Sequence, residues 1–205
     1  MREQKMITSD LPSEYILCVQ NFEIGFHKVR YPFDIPLLHK WLNAKHTIEQ
    51  WKLNKPLSEL ITYFGKATKD KHQKLFLISC DGVPFGYCEI YAVIGDRLAN
   101  YYDNVTPFDM GWHLLIGERA FLSKSFAQIL IYAISNFVFL KTQAIRIIVE
   151  PDVRVKWHVI AEKYAYYKDS VVVFPEKNAN IFRCSKENFY ESDGYFLHST
   201  VEVNK

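Results

Sequence analysis

His113 is the residue whose chemistry is easiest to place in this chain. Histidine is the side chain whose ordinary pKa, about 6.5, lies near neutrality, so it can take or release a proton at physiological pH. Its other reading is a hydrogen-bonded core histidine. Asp152 stands just past the next apolar run. A carboxylate there can orient an imidazole or hold a cation, and before a helix it can equally serve as an N-cap. Between the two lies Ser123–Lys124–Ser125–Phe126–Ala127, short polar residues opening an apolar segment. A third group is Glu89, Tyr91, Tyr101, Tyr102 and Asp103. Carboxylates and phenols in one place suit a cationic, polar amine. Alternatively the tyrosines pack on the core and Asp103 serves a turn.

These residues need strands and a helix start to position them. Residues 110–116 alternate, with Trp112, Leu114 and Ile116 on one face and His113 and Leu115 on the other. Residues 117–124 break that pattern. Residues 126–140 are apolar almost all round, which predicts a helix packed on a sheet. The β-branched run 145–149 fits a strand buried on both faces. Such a unit aims the free amides of a helix start at one end of the sheet. That favours an anionic ligand such as a pyrophosphate.

Upstream, residues 16–22 and 23–29 read as two short strands. Asp34 reads as the N-cap of a helix with Pro36 in its first turn and Leu37, Leu38, Trp41 and Leu42 as its stripe. A second helix starts after Pro56 and runs through Leu57, Leu60, Ile61 and Phe64. Residues 75–80 and 83–93 are strands joined at Asp81–Gly82, a hairpin signal. A polar and aromatic loop covers 96–107. Downstream, 152–167 reads as a helix on Val155, Val159, Ile160 and Tyr164, and 171–174 and 179–184 as a closing strand pair. Trp41, Trp51 and Trp157 read as packing, and the tail shows no pattern. The sum is one α+β domain over residues 1–205, a mixed central sheet with helices on both faces and residues 1–14 as a flexible lead.

Composition narrows the function. Hydrophobic residues make up 49% and the net charge is +2, with no dense Lys/Arg cluster. A packed globular domain is expected, without nucleic-acid or membrane partners. The N-terminus lacks the apolar core of a signal peptide, and the apolar helix of ~15 residues falls short of the roughly 20 that span a bilayer. Cys18, Cys80, Cys88 and Cys184 show no metal-ligand spacing, so no metal is expected. They read as reduced thiols of a cytoplasmic protein.

Several motifs then occur in a telling order: YPFDIPLLHKWLN, VPFGYCEIY, RLANYYD, GWHLLIGERAFL, EPDVR and FRCSKENFY. Together they resemble the siderophore-biosynthesis branch of the GNAT acyl-CoA N-acyltransferases, which includes N6-hydroxylysine acetyltransferases and mycobactin lysine N-acyltransferases. The resemblance implies a GNAT fold whose sheet splays near its middle to admit acetyl-CoA or another acyl-CoA. It implies acyl transfer to a small amine or hydroxylamine acceptor, such as a lysine- or diamine-like siderophore precursor. It also implies His113 and Asp152 as the catalytic pair, and donor contacts from Leu115, Ile116 and residues 123–127. A monomer or weak homodimer is expected.

Two departures from the family pattern stand out. The donor loop usually reads Gln/Arg-x-x-Gly-x-Gly/Ala; here Leu122 replaces the first polar residue and Ser125 the glycine, while Ala127 is retained. Many relatives place an Asn and then a Tyr after the Asp turn; here Val155 and Ala161 stand there, with Tyr164 nearby. Two other readings stay open: a GNAT acting on an aminoglycoside or protein amine, and a binding module that has lost its donor site.

Overall fold

The computed structural model describes residues 6–199. Eight strands form one sheet in the order β1-β2-β3-β4-β5-β6-β8-β7. They are β1 Glu14–Val19, β2 Phe22–Lys28, β3 Gln73–Cys80, β4 Val83–Ala92, β5 Asp109–Ile116, β6 Arg146–Val149, β7 Tyr167–Val173 and β8 Asn178–Ser185. The β1–β2 turn falls at Gln20–Asn21, earlier than expected, with Gln20 at φ 56. The Asp81–Gly82 hairpin forms as read: Gly82 takes φ 76 where an added side chain would be strained, and the Asp81 carboxylate accepts the Glu23 amide at 2.9 Å.

One pairing breaks the antiparallel pattern, and the site depends on it. Strands β5 and β6 run parallel and pair only at Asp109↔Arg146 and Met110↔Ile147. Beyond Met110, β5 keeps its partner β4 while β6 continues along β8. The sheet therefore splays between β5 and β6 from Gly111 onward.

Helix α4, Lys124–Lys141, is apolar nearly all round because it is buried nearly all round. Phe126, Leu130, Ile134, Phe137 and Val138 pack it on one sheet face with Trp112 and Met110. Each such side chain contributes roughly 1.5–3 kcal/mol. On the other face lie α1, Ile35–Leu42, and α3, Leu57–Ala67, whose Leu38, Trp41, Leu60 and Phe64 cover Leu75, Tyr87 and Leu115. The two faces of β5 thus divide as its alternation dictates. Asp34 precedes α1 without capping it; its carboxylate takes the Arg30 amide at 2.7 Å and the guanidinium at 2.8 Å.

Three expectations change. The helix read over 152–167 shrinks to α5, His158–Ala161, and a 3-10 turn over Glu162–Tyr164. Ala165, at φ 59, ends it, and the chain turns into β7. The flexible lead does not extend through residue 14. Ile7–Asp10 form a 3-10 turn, with Thr8 and Leu11 almost fully buried, while residues 1–5 lie outside the described part. The patternless tail folds as α6, Lys186–Tyr190, and α7, Asp193–Ser199. An unexpected one-turn helix, α2, spans Ile48–Trp51.

Candidate active site

His113 sits opposite Glu89 in the β4–β5 ladder, and both face the α1–α3 side. Its Nδ1 donates to Glu89 Oε2 at 3.0 Å, and its Nε2 donates to Glu150 Oε1 at 2.9 Å. Glu150 directly follows β6, so the imidazole bridges the gap where the two strands part. The carboxylates are held in turn. Tyr87 donates to Glu89 at 2.9 Å and Tyr91 to Glu150 at 2.8 Å. Lys177 Nζ donates to the Glu150 carbonyl at 2.9 Å and lies 3.5 Å from its Oε1. The His113 side chain remains 34% exposed, so the cluster can be reached.

The electrostatics follow from this arrangement. Burial alone lowers the His113 pKa, but the two carboxylates overcome it and raise it to about 10. Burial raises the Glu150 pKa, but His113, Lys177 and Tyr91 hold it down at about 2. His113 therefore rests as an imidazolium at neutral pH, not as the near-neutral base its residue type suggests.

The sequence pairs His113 with Asp152; the structure pairs it with Glu150, two residues earlier. Asp152 instead binds Arg154, which donates its amide and Nε to Oδ1 and its Nη2 to Oδ2, each at 2.9 Å. That fork holds the Asp152 pKa near 2. Asp152 caps no helix either, because α5 starts six residues later, at His158.

The acceptor-side residues divide. Glu89 and Tyr91 belong to the cluster. Tyr101 packs on Phe174 with ring centroids 4.8 Å apart, and the Tyr102 hydroxyl donates to Asp169 at 2.9 Å. Asp103 is an exposed loop residue. None of these three bonds to the His113 cluster. Trp51 packs on the α1–α3 core, as read, and also reaches the cluster's edge, 5.6 Å from Tyr87 and 6.4 Å edge-on from the His113 ring. Burial, then the Glu89 charge, push the phenol of Tyr63 on α3 up to about 12.

Gly111 makes room for this geometry. It lies opposite Tyr91, and a methyl there would fall 2.4 Å from the Tyr91 ring. Gly111→Ala is therefore expected to cost about 1–3 kcal/mol by overpacking and to loosen the Tyr91–Glu150 bond. Urea unfolding checks the first effect, and steady-state turnover the second.

The donor side fits an anion in part. Ser123 caps α4 by accepting the Phe126 amide at 3.1 Å, and the Ala127 amide bonds the Ser123 carbonyl at 3.0 Å. Phe126 is buried in the core, so neither its side chain nor its amide is free for a ligand. Leu115 likewise points into the α1–α3 core at 2% exposure. The Ile116 carbonyl is engaged by His46 Nε2 at 3.0 Å. Lys124 and Ser125 stay exposed at the positive end of an 18-residue helix. Ser125 is helical, not in a positive-φ conformation, so glycine's backbone freedom is not needed there. These groups would hold the phosphates of a CoA donor. Tyr164 cannot serve as an acid: it is buried, with its hydroxyl 2.8 Å from His198 Nε2.

The mixed sheet splayed between β5 and β6 is a fold shared with known acetyltransferases. The acetyltransferase (GNAT) domain family matches residues 31–174, and the chain belongs to that family. It is 34% identical to the N-hydroxyputrescine acetyltransferase of Acinetobacter baumannii, over 93% of this chain and 91% of that protein. It is 27% identical to the N(6)-hydroxylysine O-acetyltransferase of Escherichia coli, over 76% of this chain but 50% of that longer protein. Among crystal structures, an uncharacterized protein from Bacillus halodurans superposes with TM-score 0.82 at 30% identity, covering 87% of this chain and 93% of that one. An aminoglycoside acetyltransferase in complex with coenzyme A gives TM-score 0.73 at 19% identity, covering 82% and 98%, and shares the fold. Among the described residues, no helix is long and apolar enough to cross a membrane, and no group of His, Cys, Asp and Glu could hold a metal.

Proposed function

We infer that this chain moves an acetyl group from acetyl-CoA to the hydroxylamine nitrogen of a small aliphatic N-hydroxyamine, a precursor of a hydroxamate siderophore. The observation that carries the reading is His113 held between Glu89 and Glu150 across the strand gap. The full-length similarity to an N-hydroxyputrescine acetyltransferase supports the acceptor class. Acyl-CoA supplies an activated carbonyl and a thiol leaving group.

The chain's own task is then to orient the acceptor and manage protons. A hydroxylamine is less basic than an alkylamine, so it arrives with its lone pair free. Its N–H proton must leave as the new C–N bond forms. A carboxylate oxygen of Glu89 or Glu150 takes that proton, the His113 imidazolium gives one of its own to the departing sulfur, and the protonated carboxyl then returns its proton to the ring, so the unit ends as it began. This exchange needs no separate tyrosine acid, consistent with a buried Tyr164. Lys177 and Tyr91 keep Glu150 ionised and aimed at the ring.

The test reads the product. An N-acetylated hydroxylamine is a hydroxamate and gives a coloured ferric complex, whereas O-acetylation gives an ester that does not. Hydroxamate formation matching thiol release is the expected result; thiol release without it would defeat the reading. Acetyl-CoA at 100 times its Kd is expected to add about 2.7 kcal/mol of stability. A thermal-shift titration checks this, and no shift at millimolar donor would revive the binding-module reading.

A further inference from the structure

The acceptors in the relatives' names differ chiefly in charge: hydroxylysine carries a carboxylate and one more methylene, and hydroxyputrescine has neither. We propose that this site is built for a linear aliphatic hydroxylamine without a carboxylate, its carbon chain lying against Trp51. The inference rests on the acceptor class proposed above and deepens it.

Two observations carry it. The first is the matching of charges around the cluster. Arg154 is paired with Asp152 and with Glu49, whose Oε1 accepts Nη1 at 2.9 Å. Lys177 is held by the Glu150 carbonyl and carboxylate. Arg97 pairs with Glu176 at 2.6 Å. An acceptor's own carboxylate would meet these three cations only in competition with the carboxylates already paired to them. Glu89 and Glu150 would repel it as well. A second amine meets no such conflict.

The second observation is the placement of Trp51. Helix α2 is tied to the loops around Glu150: Glu49 pairs with Arg154, and Lys52 Nζ donates to the Glu176 carbonyl at 3.3 Å. These links fix the half-buried indole beside Tyr87 and at the edge of the His113 ring. An indole there offers an apolar wall for methylenes and a π face for a distal ammonium. Tyr87, hydrogen-bonded to Glu89, extends the same aromatic surface.

N-hydroxy-1,5-diaminopentane and N6-hydroxylysine differ only by the carboxylate, so they test the proposal directly. Hydroxamate formation is measured with both, in the full chain and with saturating acetyl-CoA. The expected result is a kcat/KM at least about tenfold higher for the diamine derivative. Glu49→Gln releases one arm of Arg154 and should narrow that ratio by giving the carboxylate a partner. Trp51→Ala should raise KM for both acceptors by about tenfold with the acetyl-CoA KM unchanged, and Trp51→Phe should recover part of it. Equal or better use of N6-hydroxylysine, or an unchanged ratio in Glu49→Gln, overturns the charge-matching argument alone. An unchanged acceptor KM in Trp51→Ala overturns the role of the indole. Hydroxamate from neither compound, with acetyl-CoA bound, defeats the parent reading and this one with it.

Discussion

His113→Ala is expected to lower kcat about 10²–10⁴-fold, the usual worth of a positioned proton-transfer group, while the KM for acetyl-CoA moves little. In the proposed reaction His113 holds the carboxylates that meet the acceptor nitrogen, whereas Lys124 and Ser125 at the start of α4 are proposed to meet the donor phosphates. Asp152→Asn is the control, and its expected effect is small because Asp152 spends its oxygens on Arg154. Glu150→Gln should fall near His113→Ala, since the amide keeps the shape and removes the charge that holds the imidazolium. An active His113→Ala enzyme would remove the histidine from the mechanism. A dead Asp152→Asn enzyme with a live Glu150→Gln enzyme would restore the pairing suggested by sequence.

The same cluster sets a pH dependence whose sign can be worked out. The folded-state pKa of His113 is raised from 6.5 to about 10, so its contribution to stability is complete below pH 6.5 and is lost as pH rises through 10. The pKa of Glu150 is lowered from 4.5 to about 2, so its contribution is present above pH 4.5 and is lost as pH falls through 2. Denaturant unfolding should therefore show these groups at full effect between pH 4.5 and 6.5. In His113→Ala the buried Glu89 and Glu150 lose the cation between them, and the alkaline fall should disappear.

The parts legible in the sequence share a cause: a strong local pattern. Trp112, Leu114 and Ile116 alternate with His113 and Leu115 because β5 is covered on both faces by different helices. The apolar run of α4 and the Asp81–Gly82 turn are equally self-contained. The sequence does not single out Glu150 because its contact with His113 is set by the splay, a tertiary feature. The EPD turn offers two acids, and only the structure shows which one faces the ring. Extending the β6 run by one residue would have placed Glu150 opposite the gap. Helix α2, which brings Trp51 to the edge of the cluster, is not legible because four residues have no period to read. The helix read over 152–167 failed because the Val155–Tyr164 spacing was accidental: Val159 is 54% exposed, and residues from Tyr167 are drawn into pairing with β8.

The largest effect on stability is expected not at the site but at the base of the splay. Asp109 is fully buried where β5 first pairs with β6. Its Oδ1 accepts Arg146 Nε at 2.9 Å, and its Oδ2 accepts Arg146 Nη2 and the Thr106 amide, each at 2.6 Å. Arg146 Nη2 also reaches the Asn104 carbonyl at 2.5 Å. The only parallel pairing of the described sheet is two residue pairs long, so this fork supplies much of what joins its halves there. Asp109→Ala leaves a mostly buried guanidinium without its partner and should cost about 3–5 kcal/mol. Replacing both residues, as in Asp109→Leu with Arg146→Met, removes the stranded charge and should recover much of that loss. Urea unfolding of the two single variants and the double variant forms the cycle that separates the pair's coupling from the penalty of an orphaned charge. A double variant as unstable as the sum of the singles would mean that the pair is not coupled. Because His113 and Glu150 meet across the gap that this fork closes at its base, Asp109→Ala should also lower turnover at temperatures where the chain is still folded.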